Sequence, residues 1–344
     1  MSALLLAVRA SKAEFEGPSA ECPRSALPSL HPNRYVLIMS DTGQTWIRDL
    51  VGALRVRPGT RVEVPEDFDP AYQADFIDKR DSEALLSESV ELLSSCQMRL
   101  AAQDTHGVLL CLQGLDGSGK DGTIRHVMSG VNPQGVRVSS FKEPSNEEYT
   151  HDYLWRHVRR LPARGEIGIF NRSHYEEVLV VRVHPELLDR EQLPPEAKEN
   201  DVWQRRYREI NEWERYLTDN GIRVLKVLLN ISKEKQRERF LRRLDLPDHT
   251  WKFSAADVRE RGYWDDYQLA FSEMLSATST DWAPWYVIPA NRKWFAHICV
   301  GAVLVHTLTE INPQYPVVNA EELRAEGMAR QTLLAEAPGD ALPS

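Results

Sequence analysis

The chain has 344 residues, 42% hydrophobic and 27% charged, with 42 Lys and Arg against 51 Asp and Glu for a formal net charge of -9. This composition excludes a disordered, collagen-like or disulfide-stapled chain. The acidic balance argues against a nucleic-acid binder, which needs a basic field, so any polyanionic substrate must be held by local basic clusters. The length fits about two domains, or one large α/β domain with appended helices. Cys22, Cys96, Cys111 and Cys299 lie far apart without a Cys-x-x-Cys pair, and read as buried free thiols in a reducing compartment. The apolar run at residues 4–8 has no basic region before it, and the most apolar stretch, residues 296–308, is too short to span a bilayer. The expectation is a cytoplasmic protein that binds neither membrane nor nucleic acid.

Residues 1–50 hold Pro18, Pro23, Pro28 and Pro32 without a sustained period and read as mobile, with Met39 an alternative start to Met1. Residues 51–106 read as an arm, punctuated by Pro58-Gly59 and Pro65, followed by a helix over 75–103 with a stripe of Leu85, Leu92, Cys96 and Leu100. Residues 107–316 form the predicted main domain. Its strands are expected at 108–112, 136–141, 167–170, 224–229 and 285–288, and its helices at 121–129, 147–160, 202–218, 232–244 and 295–309. Strands separated by helices predict a parallel sheet covered on both faces. The helix at 295–309 is apolar nearly all round and should be buried. Residues 317–344 read as an acidic tail with one more helix and a frayed end.

The first predicted strand runs directly into Gly114-Leu-Asp-Gly-Ser-Gly-Lys120, which fits G-x-x-x-x-G-K, and a helix follows. Glycines let the backbone curl so that several N–H groups face one anion, and the helix N-terminus adds partial positive charge. Lys120 then supplies a full charge. Asp121 stands where Ser or Thr usually offers a hydroxyl to Mg2+. Asp116, inside the loop, would repel phosphate unless it binds Mg2+ or accepts a proton at the transferring group.

The third strand ends in Asn171-Arg172-Ser173-His174-Tyr175. Ligands of doubly wound sheets sit at the carboxyl ends of strands, so this cluster should face the loop. Arg172 suits a fork of bonds to phosphate oxygens. Asn171 can accept from metal-bound water, His174 reads as a hydrogen-bonding scaffold, and Glu176 and Glu177 orient Arg172 or are solvated. Two stretches are locally basic: Arg156, Arg159, Arg160 and Arg164 before the third strand, and Lys233, Lys235, Arg237, Arg239, Arg242 and Arg243 after the fourth. The second stands where a P-loop kinase places its lid. Trp251, Phe253, Tyr263, Trp264 and Tyr267 follow, for core or lid packing or to stack on a base.

Residues 114–123 (GLDGSGKDGT), 170–176 (FNRSHYE), 231–236 (ISKEKQ) and 282–286 (WAPWY) together resemble the polyphosphate kinase 2 family over residues 54–315. The resemblance implies a thymidylate-kinase-like P-loop kinase: a three-layer α/β/α sandwich with a five-stranded parallel sheet and a helical lid at about 232–265. It implies reversible phosphoryl transfer from inorganic polyphosphate to adenine nucleotides with Mg2+ or Mn2+. Asn-Arg-Ser in place of Asp-Arg-Ser is similar to the class III branch, which phosphorylates both AMP and ADP. By position, Asp116 would hold the metal and act as base, and Lys120 and Arg172 would contact phosphates. Gly114, Gly117, Ser118, Gly119, Asp121, Gly122, Thr123, Asn171 and Arg156 would bind phosphate or nucleotide. Arg239, with Lys235, Arg242 and Arg243, would line a polyphosphate channel. Glu177 stands where Asp is expected, and Asn171 replaces the second metal ligand. A homo-oligomer, dimer or tetramer, is the expected assembly. The rival readings are an ATP-dependent nucleoside monophosphate kinase and a phosphate-binding protein without chemistry.

Overall fold

The computed structural model describes residues 41–336 except 65, 75, 76, 78, 199, 200 and 247–254. Cys22, Met39, Trp251, Phe253, the Pro-rich start and residues 337–344 lie outside the described residues. In chain order the helices are α1 (Asp41–Leu54), α2 (Ser82–Gln103), α3 (Lys120–Val127), α4 (Glu176–Val183), α5 (Val202–Asp219), α6 (Lys233–Asp245), α7 (Ala255–Glu260), α8 (Trp264–Thr278), α9 (Lys293–Ile311) and α10 (Ala320–Glu336), beside several single turns. Strands β1 (Gly107–Gln113), β2 (Val136–Ser140), β3 (Ile167–Asn171), β4 (Ile222–Asn230) and β5 (Trp285–Pro289) form one sheet in the order β2-β3-β1-β4-β5. Every pairing is parallel, with Leu110 opposite both Ile169 and Leu225.

β1 is buried at all seven positions, as a strand covered on both faces must be. Val108, Leu110 and Leu112 enter the core beneath α1, α2, α3 and α9, while Leu109 and Cys111 point into the opposite core with Phe170, Val224 and Leu217. That second layer continues through α4, α5 and α8 around Tyr175, Ile210, Met274 and Trp285. The three-layer α/β/α sandwich expected from the sequence is therefore present.

Residues 41–50, read from sequence as mobile, all belong to α1. Its stripe of Ile47, Leu50, Val51 and Leu54 is buried and packs with α9. The stripe straddles the residue where the composition changes, which concealed it. Residues 147–160 are not one helix but a turn at Glu148–Thr150 and another at Trp155–Val158. The Asp152 carboxylate accepts the Leu154 N–H (3.0 Å), a local bond that competes with helix continuation. α9 is longer than the apolar run it contains. By length and composition its 19 residues could cross a membrane, yet 72% of its most apolar window is buried within the protein. Val56, Val62 and Val64 of the arm are buried beside β5 and α8, with the Val56 N–H donating to Trp285 O (2.9 Å).

Candidate active site

The β1–α3 loop closes only because its glycines take backbone angles that other residues resist. Gly114, Gly117 and Gly119 have φ of +147°, +87° and +109°. A Cβ on Gly114 would meet Ser118 Oγ at 2.8 Å and the Leu229 carbonyl at 2.9 Å. Gly122 carries no such demand and is an ordinary helical residue, while Thr123 is buried in the first turn with its N–H bonded to Gly119 O. Ser118 Oγ is buried with no protein partner, an orphan hydroxyl in the wall of an anion cradle. Lys120 is 8% exposed, and its ammonium donates to Gly114 O (2.6 Å) and Leu115 O (3.4 Å) and stands 3.8 Å from Asp116. Burial lowers its pKa, and Asp116 offsets part of that.

Arg172 faces this loop, as its place at the end of β3 predicts. It is a non-glycine residue at φ +63°, a conformation that costs about 1 kcal/mol or more and needs support from its surroundings. Its guanidinium donates to Asp116 Oδ1 (2.8 Å) and Glu176 Oε2 (3.0 Å). Glu176 foremost, and Asp116 with it, raise the Arg172 pKa against the effect of burial. Burial pushes the Asp116 carboxyl upward, but Lys120 and Arg172 together outweigh it and hold the pKa below the ordinary value. Asp116 is thus an ionised group and a weak base. Asn171 donates to Asp121 Oδ1 (2.8 Å), leaving its own Oδ1 buried without a protein partner.

The oxygen donors near the cradle are the Asp116 and Asp121 carboxylates and the unpartnered Asn171 Oδ1 and Ser118 Oγ. Among the described residues no group of three or more His, Cys, Asp or Glu is arranged to hold an ion by itself. Mg2+ characteristically takes one or two carboxylates and completes its shell with water and substrate phosphate, so this set suits it.

A cavity of about 880 Å³ opens beside the loop, lined among others by Phe141, Tyr149, Arg156, Glu177, His184 and Trp264. Arg156 lies in its wall, buried, donating to Lys142 O (2.8 Å) and 3.6 Å from Glu177. Arg159, Arg160 and Arg164 are exposed, and Arg159 stacks on Trp155. Glu177 is neither solvated nor bonded to Arg172. It is buried between Arg156 and Arg206, the latter donating to the Glu177 carbonyl (2.8 Å) and to Glu191 Oε2 (2.5 Å). Burial, moderated by Arg206, pushes the Glu177 carboxyl up to about 7 from 4.5. The folded state then holds the proton more tightly than the unfolded chain, so this group's effect on stability falls as pH rises from about 4.5 to 7 and levels off above. The loss is on the order of 3 kcal/mol. Glu177→Gln is expected to flatten the dependence of thermal midpoint on pH across that window. An unaltered profile would show that Glu177 does not titrate there.

Helix α6 packs against the loop. Arg239 donates to Gly117 O (2.7 Å), Ser118 O (2.8 Å), Ala290 O (2.6 Å) and Asn291 O (3.3 Å), so its guanidinium braces the cradle rather than standing free in a channel. Gln236 donates to Asp116 O (2.8 Å) and is itself held by Arg261 (2.6 Å). Lys235 pairs with Glu238, Arg243 lies 3.9 Å from Asp257, and Arg242 is exposed. Burial and the neighbouring charges of Arg239, Arg242, Arg243 and Arg125 lower the pKa of Lys293, which marks a cationic basin at the start of α9. The stacked His126 and His297 border it, their ring centroids 4.5 Å apart, and His297 is pushed down to about 4, mainly by burial. Arg206, Lys293 and Arg125 lie in none of the motifs read from sequence, and only the fold brings them together; Gln236 closes the 231–236 motif, but its bond to the loop was not read from it.

His174 is buried scaffold. It contacts Glu214 Oε1 (3.2 Å), which also accepts from Tyr175 Oη (2.8 Å), while Lys226 donates to Glu214 Oε2 (2.6 Å). Glu214 and Lys226 are 0% exposed, and removal of either alone would cost about 3–5 kcal/mol.

A five-stranded parallel sheet with a glycine cradle after β1, opposed by Arg172 after β3, defines a P-loop kinase. Within that class, the family model of Polyphosphate kinase 2 (PPK2) matches residues 76–316, and the chain belongs to this family. It is 46% identical over 284 residues to the ADP-polyphosphate phosphotransferase of Rhodopseudomonas palustris, covering 81% of this chain and 97% of that protein. It is also 46% identical over 266 residues to the AMP/ADP-polyphosphate phosphotransferase of Meiothermus ruber, covering 76% of this chain and 94% of that protein. The crystal structure of Polyphosphate Kinase 2 from Arthrobacter aurescens superposes with a TM-score of 0.74 at 37% identity, covering 84% of this chain and 97% of that one.

Proposed function

We propose that this protein transfers the terminal phosphoryl group of inorganic polyphosphate to AMP and ADP, reversibly. The observation that carries this reading is the convergence of Asp116, Lys120 and Arg172 on one glycine cradle that has different surroundings on its two sides. One side is the 880 Å³ cavity, of a size that holds a nucleotide. The other holds Lys293, Arg125 and Arg242, cations suited to a donor with neither base nor sugar.

The attacking group is a terminal phosphate oxygen of the nucleotide, already largely ionised near neutral pH because its last pKa is about 6. A protein base is therefore unnecessary, which fits the lowered pKa of Asp116. Lys120 exchanges its loop carbonyls for phosphate oxygens, and Arg172 aligns donor and acceptor through its fork. Asp116, with Asp121 and Asn171 Oδ1 beside it, would hold Mg2+, which when bound neutralises clustered phosphate charge.

The direct test follows ADP and ATP formation from polyphosphate with AMP and with ADP separately, with and without a divalent chelator. Product is expected from both acceptors, is lost on chelation, and returns with added Mg2+ or, in part, Mn2+. Turnover with ATP plus AMP and no response to polyphosphate would overturn the reading in favour of an ordinary nucleoside monophosphate kinase.

A further inference from the structure

β4 reads Ile-Arg-Val-Leu-Lys-Val-Leu-Leu-Asn, and its central Lys226 is wholly buried although apolar residues surround it in sequence. A buried ion pair is a poor device for stability alone, since apolar residues of similar volume often serve as well or better. The bonds of this one lead to the turn that carries Arg172. The three residues after Arg172 are each 0% exposed, and together they are tied to β1, α5 and β4. Ser173 Oγ accepts from Gln113 Nε2 at the end of β1 (3.1 Å). His174 meets Glu214 on α5 (3.2 Å). Tyr175 Oη donates to Glu214 (2.8 Å) and accepts from Lys226 on β4 (3.0 Å), whose ammonium also donates to Thr278 O at the end of α8 (2.5 Å).

We propose that Glu214 and Lys226 are positioning residues which, through His174 and Tyr175, fix the left-handed turn that aims the Arg172 guanidinium across Asp116 and Glu176. The inference rests on the proposed contact of Arg172 with substrate phosphates. Arg172 holds a disfavoured backbone angle while its fork spans two carboxylates at 2.8 and 3.0 Å. A turn anchored on three sides keeps that fork in register, and one released from its anchors relaxes toward ordinary angles and swings the guanidinium off line.

The test combines Tyr175→Phe, and separately the apolar double replacement Lys226→Met with Glu214→Leu, with Arg172→Ala. Single-turnover rates and nucleotide KM are measured for each in both backgrounds. With Arg172 present, either change is expected to lower the transfer rate roughly tenfold or more while KM moves less than about threefold. With Arg172→Ala, neither is expected to cause a further loss, because the residue being aimed is gone. Equal losses in both backgrounds would assign the pair to general stability and overturn the proposal, as would full activity in the double replacement. If that replacement does not fold, Tyr175→Phe decides alone, since it removes one hydroxyl and keeps the ring. Wild-type turnover of Arg172→Ala would instead overturn the role of Arg172 itself, a separate failure.

Discussion

Asp116→Asn is expected to slow phosphoryl transfer on the order of a thousandfold while nucleotide binding changes little. Asparagine has nearly the same shape and can still accept from Arg172, so the 2.8 Å contact and the turn behind it should survive. What disappears is the negative charge that would hold Mg2+ and that balances Lys120 at 3.8 Å and Arg172. Without it the cradle is more positive, which favours bound phosphate but not the alignment of two phosphates about one metal ion. Turnover followed by luminescent detection of ATP, with nucleotide affinity from calorimetry, separates the two effects. Near-wild-type turnover would remove Asp116 from the mechanism.

Lys120→Met is expected to lower kcat/KM by about a hundredfold to a thousandfold, with the thermal midpoint held or raised. The ammonium is nearly buried and its pKa lies below the ordinary lysine value, so folding disfavours its charge at neutral pH. An apolar replacement of similar length relieves that cost while abolishing the contact with phosphate. Lys120→Arg should not rescue activity, because a planar fork replaces the compact point charge that bonds the Gly114 and Leu115 carbonyls. A fall in activity matched by a fall in midpoint would indicate that the lysine mainly supports the loop. Melting curves alongside steady-state rates distinguish these outcomes.

The cradle was legible in sequence because glycine spacing and helix start are written in adjacent residues. Strands such as β1 were legible because a doubly covered sheet demands near-continuous apolar runs, whereas β2, with no buried residue, was legible from its alternation. α4 was not. Its Val178-Leu-Val-Val run favours an extended chain locally, and packing with α5 and α8 makes it helical. Arg239 illustrates a different limit. A lysine- and arginine-rich helix reads as free cations, whereas the partners of this guanidinium are four backbone carbonyls that leave no trace in composition. The role of Glu177 was likewise hidden, since its neighbours Arg156 and Arg206 come from separate segments.

The anchoring of Arg239 has a mechanical consequence. Its four acceptors lie on the glycine loop and on the segment between β5 and α9, so the first two turns of α6 are pinned at both ends of one side chain. Gln236 adds a further tether one turn earlier. This part of the helix travels with the phosphate cradle as a single piece and cannot swing as a flap from its root. A change at the root would therefore be felt first as a change in the shape of the anion nest.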